Sequence, residues 1–73
     1  MNLDKVLEIA NECIENSIIP TEGLTIMYKL DSETHRKLDE ELFYNTNNNL
    51  TNFVHNKVIE INVAGITFIF EIN

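Results

Sequence analysis

Leu3, Val6, Leu7, Ala10, Cys13 and Ile14 are the apolar positions that open the chain. Steps of three and four bring them to one side of a helix turning every 3.6 residues. Asn2 stands where a capping side chain accepts a first-turn N–H. Pro20 drives Ile19 out of helical conformation, so the helix is expected to end near Asn16 or Ser17. Beyond the turn Pro20-Thr21-Glu22-Gly23, Leu24, Ile26, Tyr28 and Leu30 alternate with Thr25, Met27 and Lys29. A period of two predicts a half-buried strand. Asp31-Ser32-Glu33 then supplies a cap and an acidic first turn. The second helix is expected from about Ser32 to Tyr44, with His35, Leu38, Leu42 and Phe43 as its inward candidates.

Asn45-Thr46-Asn47-Asn48-Asn49 ends that helix, because asparagine side chains compete for backbone hydrogen bonds and tolerate left-handed conformation. Leu50 to Asn56 fits two patterns: a helical turn through Leu50, Phe53 and Val54, or a backward extension of the next strand through Phe53, His55, Lys57 and Ile59. The expectation adopted is a short helical or irregular segment.

From Lys57 to Asn73 the apolar residues occupy odd positions first (Ile59, Ile61, Val63) and even ones afterwards (Ile66, Phe68, Phe70, Ile72). One bulged strand of that length would extend about 55 Å, far beyond a compact chain with a radius of gyration near ~11 Å. A hairpin resolves the switch. A two-residue loop at Ala64-Gly65 sets Val63 opposite Ile66, Ile61 opposite Phe68 and Ile59 opposite Phe70, all on one sheet face. A three-residue loop would set Glu60 against Phe68. Gly65 suits the positive φ of such a turn and Ala64 does not. The expected fold is α+β: a single domain over residues 1–73 in the order α-β-α-β-β, a three-stranded antiparallel sheet with two helices packed on one face.

Composition narrows the functional classes. At 73 residues the chain is near the lower limit for a core without disulfide or metal support. The single cysteine, Cys13, excludes an intramolecular disulfide and points to a reducing, cytoplasmic setting. No apolar run reaches the roughly 18 residues needed to span a bilayer, and the charged N-terminus lacks the apolar core of a secretory signal. Twelve acidic residues against five basic ones give a formal charge of −7, which disfavours direct nucleic-acid or anionic-membrane binding and favours a partner with a basic surface. Eleven asparagines and ten isoleucines against two alanines match AT-rich codons, and so a phage, a mobile element or a low-GC bacterium.

Candidate chemistry is sparse. Cys13 lies on the inward helix face with no basic residue within a turn, as a structural cysteine does. His35 and Asp39, four apart, could share a metal or a proton with His55 as a third group. The blander assignment, a core-flanking histidine beside a solvated aspartate, is preferred. No phosphate loop, nucleophile elbow or calcium loop occurs. No catalytic, cofactor or metal residue is therefore assigned, and the chain is expected not to be an enzyme.

Two surfaces remain. Asp4, Glu8, Glu12 and Glu15 form an acidic stripe on the first helix, and Asp39, Glu40 and Glu41 cluster on the second. Like charges four apart weaken a helix, so local stability does not account for the stripe. It serves either solubility or docking, including imitation of a nucleic acid's phosphate array. The sheet face turned away from the helices carries Met27, Val58 and Ile69, a candidate surface for a second copy. The last strand is also a candidate free edge. The leading expectation is a non-catalytic acidic protein-binding module that inhibits or modulates a host protein. The alternative is a homo-oligomeric scaffold subunit assembling through the sheet face or terminal strand.

Overall fold

The computed structural model describes residues 1–16, 23–45 and 50–73. The Pro20 turn, apart from Gly23, and positions 46–49 of the asparagine run lie outside them. Helix α1 covers Leu3–Asn16 and α2 covers Ser32–Phe43. The strands are β1 (Thr25–Leu30), β2 (Leu50–His55), β3 (Val58–Val63) and β4 (Ile66–Ile72). Together they make a small α+β domain with a four-stranded mixed sheet in the order β1-β4-β3-β2.

Both helix starts follow from their capping residues. Asn2 Oδ1 accepts from the Lys5 N–H at 2.8 Å, and the Leu3 N–H donates to Glu41 Oε2 at 2.6 Å, so α2 helps to cap α1. On α2 the Asp31 carboxylate accepts from the Thr34 N–H at 3.2 Å and from its hydroxyl. Val6 and Ala10 of α1 and His35, Leu38 and Leu42 of α2 are buried. Phe43, expected to point inward, is 81% exposed. At about 100° per residue, Phe43 falls one position past the Leu38–Leu42 stripe and turns toward water.

The β3–β4 hairpin has the expected register: Ile59 faces Phe70, Ile61 faces Phe68 and Val63 faces Ile66. All six are buried. Ala64 and Gly65 form the loop with φ of 52° and 87°, both in the left-handed region that a twist-matched two-residue turn demands. Ala64 adopts it despite its Cβ. The Asn62 side chain braces the turn, its Oδ1 accepting from the Gly65 N–H and its Nδ2 donating to Thr67 Oγ1.

Three expectations are corrected. Leu50–His55 is neither helical nor irregular: it is strand β2, antiparallel to β3, with Leu50 opposite Val63 and His55 opposite Val58. Asn56 and Lys57 close this second hairpin with φ of 49° and 66°. The sheet is consequently neither three-stranded nor wholly antiparallel. Each antiparallel step reverses chain direction, so the additional strand inverts the sense of all that follows, and β4 runs parallel to β1. Strands running the same way need a crossover, and α2 lies in the connection between β1 and β2. The terminal strand is no free edge either. β4 is central, paired with β1 on one side and β3 on the other.

The helix-side rows of the sheet form the core. Phe68 and Phe70 are fully buried, their rings 6.4 Å apart and nearly parallel, and Tyr28 stacks on Phe70 at 5.4 Å. Leu24, Ile26, Tyr28 and Leu30 pack against this cluster half-buried. Only Leu50 of β2 is buried, so the apolar cover fades across the sheet toward β2.

Candidate interaction surfaces

The helix layer concentrates the negative charge. Helices α1 and α2 carry eight carboxylates and three basic side chains, whereas the strands and their turns carry Lys29, Lys57, Glu60 and Glu71. Asp4, Glu8, Glu12 and Glu15 of α1 and Asp39, Glu40 and Glu41 of α2 are all exposed. They are not equivalent, however. Glu8 lies 3.7 Å from Lys5, Glu40 lies 3.0 Å from Arg36, and Glu33 approaches both Arg36 and Lys37. Glu41 is committed to the Leu3 N–H. Among the described residues no ion pair involves Asp4, Glu12, Glu15 or Asp39. Exposed pairs of this kind contribute about 0.2–1 kcal/mol at most, so the helices retain an uncompensated negative surface.

Between the helices an open groove of ≈ 630 Å³ runs past Leu3 and Asp4 on one side and Arg36, Lys37, Glu40, Glu41 and Tyr44 on the other. Arg36 and Glu40 pair within it and Glu41 accepts from the Leu3 N–H, while no ion pair among the described residues involves Asp4.

Met27, Val58 and Ile69 lie together on the open sheet face, as expected. Met27 is 63% exposed, and Val58 and Ile69 are partly buried. Met27 pairs with Ile69, Ile69 with Glu60 and Glu60 with Phe53, so one row crosses all four strands. Phe53, 62% exposed, was not among the sequence candidates. Its ring lies 5.9 Å from that of His55 on the same face. The signal was present in the alternation of Phe53, His55 and Val58 about Asn56-Lys57, but lysine is a poor marker for a left-handed turn position.

The three residues considered for a metal or proton relay are separated. His35 is buried on the inner side of α2, and Asp39 is exposed on that helix. His55 is exposed on the open side of the sheet, its Nε2 3.1 Å from the Asn56 amide nitrogen. Among the described residues no cluster of three His, Cys, Asp or Glu side chains could hold a metal ion. Cys13 is half-buried against the core. No described helix is long and apolar enough to cross a membrane. No protein-family model, curated protein or solved structure matches this chain.

Proposed function

We propose that this chain is a non-catalytic protein-binding module whose acidic helix layer docks on a basic surface of another protein. The observation that supports the reading is the segregation of charge: eight of the twelve carboxylates stand on two helices with only three basic side chains among them. A carboxylate array on a rigid scaffold attracts a basic groove over a screening length of about 10 Å at 0.1 M salt. The compositional match to AT-rich coding supports an accessory protein of a phage or mobile element that inhibits or modulates a host protein. The test is capture of a host protein by the wild-type chain and by a Glu12→Lys, Glu15→Lys double variant, at low and high salt. A complex that dissolves in high salt and is lost in the variant supports the proposal. A complex indifferent to both counts against it.

A second reading is a self-assembling subunit. It draws on the exposure of Met27 and Phe53 beside Ile69 and Val58, since apolar patches left open on a small domain commonly mark an interface. Light scattering that shows one chain at every concentration would remove it.

A further inference from the structure

We propose that β2 is a dimerisation edge, pairing antiparallel with β2 of a second copy to make one continuous eight-stranded sheet. This rests on the self-assembly reading and moves its contact from the open sheet face to the sheet's border. Among the described residues β2 pairs only with β3. Every second residue of an antiparallel strand turns its N–H and C=O away from its partner, so half of the β2 backbone groups point outward.

Proteins blunt such an edge with a charge, a proline, a bulge or an overlying element. The opposite border, β1, carries Lys29, ion-paired to Glu71, and its inner side chains pack on the core. Among the described residues β2 has none of these devices. The stretch Leu50-Thr51-Asn52-Phe53-Val54-His55 contains no lysine, arginine, acid, proline or glycine, and its pairing to β3 is unbroken. Phe53 on one face is 62% exposed and Val54 on the other is 42% exposed. A neighbouring strand would shelter both.

Charge selects a second copy as the occupant. In a chain of formal charge −7, no Asp or Glu occurs from Leu42 to Ile59, so two copies meet at β2 without opposing carboxylates. Helix-to-helix contact would bring two acidic layers together. Contact between open sheet faces would bury Glu60 beside Ile69 and Phe53, and an edge contact leaves it in water. A two-fold axis normal to the sheet sets even residues opposite even ones and aligns both helix layers on one side. The dimer then offers a doubled acidic surface to any basic partner.

The experiment is sedimentation equilibrium across a wide concentration range on the wild type, Val54→Lys, Phe53→Lys and Met27→Lys, with circular dichroism to confirm folding and amide exchange on the wild type. The expected result is a dimer abolished by either β2 substitution and retained in Met27→Lys, with outward β2 amides protected as concentration rises. A wild-type monomer throughout overturns both this proposal and the self-assembly reading. A dimer lost in Met27→Lys and kept in the β2 variants overturns this proposal alone. Should both β2 variants fail to fold, unprotected β2 amides in the wild-type dimer overturn it as well.

Discussion

Ile61 and Phe68 stand directly opposite each other across the β3–β4 ladder, both without solvent exposure. Their pairing joins the two apolar rows into one face and so determines where the helices can pack. Truncation of a buried Phe costs about 3–5 kcal/mol, which rivals the whole stability expected of so short a chain at ~0.05–0.15 kcal/mol per residue. Phe68→Ala should therefore abolish the cooperative urea transition. A variant melting close to the parent would show that this pair is not the centre of the core.

The two hairpin loops store backbone strain at Ala64 and Lys57, with φ of 52° and 66°. Ala64→Asn and Lys57→Gly place residues that tolerate this conformation, and each should raise stability by about 0.5–1 kcal/mol. Gly65→Ala, at φ of 87°, should lower it by about 1–2 kcal/mol. Denaturant midpoints measured on the three variants test the signs, which differ.

His35 is 6% exposed, and its Nε2 has no hydrogen-bond partner among the described residues. An unsatisfied buried polar atom costs about 1–3 kcal/mol, and a similarly sized apolar side chain removes that cost. His35→Leu should gain about 1 kcal/mol in urea denaturation. A loss would indicate that the imidazole is held by a partner such as a bound water.

Glu41 belongs to the acidic cluster by sequence but reaches across to the Leu3 N–H at 2.6 Å. Glu41→Ala should cost about 0.5–1 kcal/mol through the lost cap on α1, whereas Asp39→Ala, which caps nothing, should be close to neutral. Thermal melts of the pair separate a capping role from simple surface charge.

Asp31 titrates below its ordinary value of 3.8, chiefly because the Thr34 hydroxyl donates to it and secondarily because the Thr34 N–H does. A carboxylate depressed in the folded state stabilises the protein above its unfolded pKa, and that contribution disappears as pH falls through the folded value. Stability should therefore decline below pH 3.8. Thr34→Val should move the Asp31 titration upward in a carbon-detected NMR pH series. An unmoved titration would exclude the hydroxyl as the main cause.

The make-up of the exposed surfaces was only partly legible. Met27, Val58 and Ile69 were placed on one open face from alternation alone, and the structure puts them there with Phe53 added. The acidic residues were recognisable as exposed. Their division into capped, paired and unpaired members was not, because Glu41 meets Leu3 across 38 positions of sequence.

Both helices, β1 and the β3–β4 register were determined by local periodicity, since each depends on side chains within a few residues of one another. The direction of β4 relative to β1 and the identity of the edge strand came only from the tertiary structure. Both turn on β2, whose apolar residues Leu50, Phe53 and Val54 keep no period of two and are mostly exposed, and whose strand conformation is held by backbone pairing to β3. Periodicity reports burial, and an edge strand with one buried side chain has little burial to report.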